Sequence, residues 1–62
     1  MQYRLRYMRT MHGYTQQQLA DYLGISRPSY TLYESGKREP TKISLLKLAD
    51  LYHVSVDYLL GR

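Results

Sequence analysis

The 62-residue sequence predicts an all-α domain of five short helices sharing one core. Three observations point there. Strand signals are missing: no sustained period-2 alternation, no Asn-Gly or Asp-Gly, and few β-branched residues. Each of the four glycines (Gly13, Gly24, Gly36 and Gly61) follows a helix-like stretch, where a left-handed C-cap is wanted. Thr15, Ser26, Thr41 and Ser55 stand where an N-cap is wanted.

The elements follow in order. Helix 1, about 2–11, carries Leu5 and Met8 three apart. Helix 2, about 15–23, opens on Thr15-Gln16-Gln17-Gln18, a capping box in which Gln18 reaches back to the cap backbone. Its apolar residues are Leu19, Ala20 and Leu23. Helix 3, about 27–35, places Pro28 in its first turn, where the missing N–H is no loss. Helix 4, about 42–52, repeats Leu45, Leu48, Ala49 and Tyr52 at helical spacing, and helix 5, about 56–60, closes the core with Val54, Val56, Leu59 and Leu60. The stripes are narrow for so short a chain, so all five helices must share one core. The sequence contains no repeat, low-complexity tract or linker, and 1–62 reads as a single domain.

Size and charge limit the function. No cysteine is present to form a disulfide or a thiolate metal site. The longest apolar run, Tyr58-Leu59-Leu60, is far below the ~18 residues of a membrane span. Met1-Gln2-Tyr3-Arg4 has no apolar block behind it, so a secretory signal is not expected. The +4 net charge is lopsided: residues 1–42 hold seven Lys/Arg against three Asp/Glu, whereas 43–62 balance two against two. That surplus invites a polyanionic partner. His53, Ser55 and Asp57 lie too close along one capping turn to converge as a catalytic triad. His12 and His53 alone do not make a zinc site, and no Gly-rich phosphate loop exists. Neither a cofactor nor enzyme activity is expected.

The informative stretch is 15–36. Only Gly24, Ile25 and Ser26 separate helices 2 and 3, which forces a sharp corner; Ala20 is small where the axes cross. This is a helix-turn-helix by mechanism. Together with Arg4-Leu5-Arg6, the run Tyr33 to Pro40, Leu45 to Ala49 and Val54 to Gly61, it resembles the Cro/CI-like (XRE-type) family of bacterial and phage repressors across nearly the whole chain. The resemblance implies a compact five-helix lambda-repressor-like DNA-binding domain, usually acting as a dimer on operator DNA.

A helical wheel assigns the faces of helix 3. Arg27, Thr31, Ser35, Pro28 and Leu32 span about 140° of arc, with Ser29, Tyr33 and Tyr30 opposite. Arg27 is the leading base reader, because a guanidinium fork matches guanine O6 and N7; Thr31 could bond a base or touch a thymine methyl, and Pro28 and Leu32 offer apolar contact. The phosphate set is Thr15, Gln16, Ser35, Lys37, Arg38 and Lys42, at the start of helix 2, the end of helix 3 and the loop beyond it. For Gln16 the backbone-clamp role is what the resemblance implies. It also implies that Arg9 and Glu34 form an internal pair and that Tyr33 packs beneath helix 3. Tyr30 replaces the usual Ile and is expected in the core, its hydroxyl needing a partner or an exit. Arg4 and Arg6 read as surface charge, and Tyr3 and Tyr7 as a half-exposed patch. Two departures from the family pattern stand out. Lys42 replaces an apolar residue, which could shift the start of helix 4, and His53 occupies a position suited to a left-handed residue.

The expectation is therefore a sequence-specific double-stranded DNA-binding regulator, a repressor, in the cytoplasm at the nucleoid. A homodimer through helices 4 and 5, with Leu51 and Tyr58 as candidate interface residues, would set two recognition helices about 34–36 Å apart on a near-palindromic operator. The competing expectation is an antitoxin or prophage accessory module holding a protein partner through Tyr3, Tyr7, Tyr22 and Tyr58. RNA binding ranks third, since no aromatic sheet platform is expected.

Overall fold

The computed structural model describes residues 4–61, so the expected first turn at residues 2 and 3, and the side chains of Tyr3 and Arg62, lie outside the described residues. Five α-helices are present: α1 Leu5–Met11, α2 Gln16–Leu23, α3 Arg27–Ser35, α4 Lys42–Tyr52 and α5 Val56–Leu59. No strand occurs among the described residues.

Local chemistry sets the boundaries. The hydroxyls of Thr15, Ser26, Thr41 and Ser55 each accept from the backbone N–H three residues on, capping α2 to α5. The capping box of α2 is complete: Thr15 N–H donates to Gln18 Oε1 at 2.8 Å and Gln18 N–H to Thr15 Oγ1 at 3.1 Å. Thr15 is therefore the cap and not the first helical residue. By contrast, α1 has Arg4 at its N-cap with no side-chain cap. The start of α4 is not displaced: the Thr41 cap outweighs the absence of an apolar residue at Lys42, and Ile43 is left 68% exposed. His53 does take the left-handed conformation, with φ 56° and ψ 44°. The expected helix 5 ends one residue early, at Leu59.

The core consists of Leu5, Met8, Leu19, Ala20, Leu23, Tyr30, Tyr33, Leu48, Ala49, Tyr52 and Leu59, so every helix contributes. Leu45, Val54, Val56 and Leu60 are half-buried. At the corner, Gly24 has φ 71° and caps α2, and Ile25 N–H donates to Ala20 O at 3.0 Å while its side chain packs on the core. A residue with a Cβ would be strained at that φ. Fully buried Ala20 lies one turn before the corner, where the α2 and α3 backbones converge. The chain ends are tied together as well. Arg4 N–H donates to Leu59 O at 2.9 Å, and the Arg4 guanidinium lies 4.4 Å above the Tyr58 ring.

Candidate nucleic-acid interface

The two sides of α3 separate as the wheel predicts. Arg27, Pro28, Thr31 and Ser35 are exposed and Leu32 is half-buried, whereas Tyr30, Tyr33 and Glu34 are buried. Tyr30 is 0% exposed and sits edge-on to Tyr33, with ring centroids 6.4 Å apart. Tyr33 is thus a packing residue under the helix, and large aromatics on the inner arc hold the outer arc proud of the body.

Glu34 is the anchor between elements. Arg9 Nε donates to its Oε2 at 2.7 Å and Arg9 Nη2 to its Oε1 at 3.4 Å. Arg9 Nη1 also donates to Tyr14 O at 3.1 Å, which ties α1, the α1–α2 loop and α3 together. The bond to Glu34 holds the Arg9 pKa above its ordinary value despite partial burial. The Tyr30 hydroxyl, buried beside this pair, lies close enough to the Glu34 carboxylate to feel it but has no partner within full hydrogen-bond geometry. Burial first and the Glu34 carboxylate second push its pKa upward. The Tyr52 hydroxyl is likewise unpartnered and raised, chiefly by burial.

Gln16 behaves differently from a free clamp. Its Nε2 donates to Glu34 Oε1 at 3.2 Å, and its Oε1 accepts from Thr31 Oγ1 at 3.1 Å. The Thr31 hydroxyl has a second acceptor, Arg27 O, at 3.0 Å. Neither bond of Gln16 was legible as a motif, although Thr31, a polar residue one turn before Glu34 on α3, was the signal that could have found the second.

The phosphate-side candidates come together unevenly. Arg9, Tyr14, Thr15, Gln16, Gln17 and Arg27 line an open polar groove of about 500 Å³ at the start of α2. The Thr15 hydroxyl accepts from Gln18 N–H, so its own proton remains available to an anion. Ser35 Oγ donates to Leu32 O at 3.1 Å, which commits its proton within the helix. Arg38 Nη1 lies 3.4 Å from Ser29 Oγ, drawing the loop after α3 back toward the start of that helix. Lys37 and Lys42 are exposed.

The candidate dimer residues are less free than expected. Leu51 and Tyr58 are half-buried and pack on the core, because both also face inward at the α4–α5 junction. Among the described residues, the large apolar side chains that stand in solvent are Tyr7, Met11, Tyr22, Ile43 and Leu46. Tyr22 also donates its hydroxyl to Lys47 O at 3.3 Å. A wheel of α4 would have found Ile43 and Leu46, since they share an arc with Lys42, Lys47 and Asp50.

Comparison with known proteins agrees with this geometry. A family model described as helix-turn-helix matches residues 5–59. The SPbeta prophage-derived HTH-type transcriptional regulator YonR of Bacillus subtilis is 51% identical over 57 residues, covering 92% of this chain and 53% of that protein. The cryptic phage CTXphi transcriptional repressor RstR of Vibrio cholerae is 48% identical over 59 residues, covering 95% of this chain and 53% of its own. A crystal structure of a transcriptional regulator from Listeria innocua superposes with a TM-score of 0.89 at 31% identity, over 94% of this chain and 54% of that one. The chain thus spans about half the length of these relatives.

Proposed function

The chain belongs to the helix-turn-helix family, and on that premise we propose that it is a sequence-specific double-stranded DNA-binding regulator that docks α3 in the major groove. The observation that carries this reading is the exposed outer arc of α3, backed by three buried side chains on its inner arc. A helix fits the major groove, where base pairs present distinct edges. Arg27 is the base reader, with Pro28, Thr31 and Leu32 supplying further contact. Thr15, Gln16, Lys37, Arg38 and Lys42 engage phosphates on either side, whereas Ser35, whose proton goes to Leu32 O, supplies no donor there. The groove at the start of α2 supports this, since helix N-termini favour anions. Repression is the favoured outcome, by occluding a promoter from a cytoplasmic, nucleoid-bound position. The name of the RstR relative supports this.

Two copies on a near-palindromic operator complete the proposal. Their weak contact runs through α4 and α5, with the half-buried Leu51 and Tyr58 as its interface residues. Sedimentation of the free and operator-bound protein tests it, and monomer in both states would exclude the dimer. The main experiment selects sites from a random duplex pool. A recovered consensus with dyad symmetry supports the reading, whereas equal retention of all duplexes at every salt concentration would defeat it.

A further inference from the structure

Gln16, Thr31 and Glu34 are linked more tightly than a phosphate clamp requires. The Glu34 carboxylate can only accept, so the end of the Gln16 carboxamide that faces it, 3.2 Å away, has to be the nitrogen. The oxygen then faces Thr31, whose hydroxyl donates to it at 3.1 Å. Arg9 in turn fixes Glu34 at 2.7 and 3.4 Å. The amide nitrogen carries two hydrogens. One goes to Glu34, and the other is left for the groove that Gln16 lines with Thr15 and Arg27.

We propose that Thr31 and Glu34 are positioning residues for Gln16, orienting its carboxamide so that the remaining N–H meets a backbone phosphate. This rests on the DNA-binding reading above and alters it at one residue. The Thr31 hydroxyl has a single proton and two acceptors within the chain, Arg27 O at 3.0 Å and Gln16 Oε1 at 3.1 Å. It is therefore not a free donor toward a base. What Thr31 presents outward is its methyl group, which Thr31→Val keeps, while its hydroxyl proton acts through Gln16. The structure thus splits α3 between Arg27, which specifies sequence, and Thr31, which sets affinity.

Thr31→Val keeps the shape and removes the hydroxyl; Thr31→Ser keeps the hydroxyl and removes the methyl. Titrations use the duplex selected from the random pool and its single-base variants. Thr31→Val is expected to weaken binding about two- to tenfold on all of them alike, the worth of one hydrogen bond. Thr31→Ser should recover most of that loss, and in a Gln16→Ala background Thr31→Val should add nothing. A change of preference at one base pair with Thr31→Val, or an undiminished loss in the Gln16→Ala background, would overturn the proposal. A measurement without DNA separates it from the functional reading. In the free protein the Gln16 side-chain amide should show restricted motion by ¹⁵N relaxation that Thr31→Val releases; equal mobility in both proteins would overturn the link. A chain that selects no duplex sequence would sink the functional reading, while the relaxation result still judges the Thr31–Gln16 link.

Discussion

Tyr30, Tyr33 and Glu34 on one arc of α3 are at most 8% exposed, whereas Arg27, Pro28, Thr31 and Ser35 on the other stand in solvent. The two arcs answer to different requirements. The inner arc has to fill volume and satisfy polar groups away from water, and its side chains fix where the helix sits. The outer arc needs only to be presented, and its side chains can vary with the sequence being read. The inner arc also treats its own polar groups unequally. The Glu34 carboxylate receives donors from Arg9 and Gln16, while the Tyr30 hydroxyl receives none. A substitution on α3 should therefore act mainly on stability or mainly on affinity according to its arc, with Glu34 touching both because it also holds Gln16. The size of the effect should follow what the lost group was bonded to.

Glu34→Ala should have the largest effect. It strands the Arg9 guanidinium, whose side chain is only 17% exposed, and frees the Gln16 amide. Breaking a pair buried on one side should cost about 2–4 kcal/mol. In a domain this small the melting temperature should fall by on the order of 10 °C or more. Thermal unfolding followed by circular dichroism checks this, and a shift of only a degree or two would mean that the inner arc does not depend on the pair. Arg27→Ala is the opposite case. Its unfolding free energy should stay within about 0.5 kcal/mol of wild type, while affinity for the selected duplex falls by about 1–3 kcal/mol with relaxed preference at one base pair. A variant that loses stability and keeps its affinity would reverse the assignment of the arcs.

The contrast between the arcs was readable in the sequence because it depends mainly on period. At 100° per residue, Tyr30 and Tyr33 fall outside the outer arc whatever their chemistry. Glu34 lies only about 20° from Arg27, and its inward place followed from the pair with Arg9 that the family resemblance implies. The four Ser/Thr caps and the Gly24 corner were readable for a similar reason: each is a local backbone requirement met within four residues. The unread parts join elements far apart in sequence. The bond from Thr31 to Gln16 spans 15 residues and that from Gln16 to Glu34 spans 18, and no local rule fixes a side-chain amide between two helices. Leu51 and Tyr58 were singled out as apolar residues beyond the core stripe, but the stripe turned out wide enough to half-bury both.

Smaller effects belong to the loop that leaves the outer arc. Lys37 and Arg38 follow α3, and Arg38 reaches back to Ser29 at 3.4 Å. If each meets one phosphate, Lys37→Ala and Arg38→Ala should each lower the slope of log affinity against log salt by about 0.9. Neither should change base preference. Titration of the selected duplex at four or more salt concentrations checks this. An unchanged slope for Arg38→Ala would assign its guanidinium to Ser29 and to the protein surface alone.

The smallest effect near neutral pH is expected at Tyr30, where the inner arc carries a hydroxyl with no partner. Tyr30→Phe removes that group from a fully buried site, so stability at pH 7 should hold or rise by up to about 1 kcal/mol. Alkali should expose the difference. Burial, with Glu34 beside it, raises the folded-state pKa of Tyr30, and burial likewise raises that of Tyr52. In the unfolded chain a tyrosine titrates near 10. Above that pH the unfolded chain gives up protons that the folded chain keeps, so wild-type stability is fully present below about pH 10 and falls as the pH rises further. Tyr30→Phe should flatten that alkaline fall, and Tyr30→Phe with Tyr52→Phe should flatten it more. Denaturant unfolding at pH 8 and pH 11 makes the comparison. If the single variant loses as much stability between those two pH values as wild type, the Tyr30 hydroxyl is not held away from water, and the inner arc of α3 is less sealed than its packing indicates.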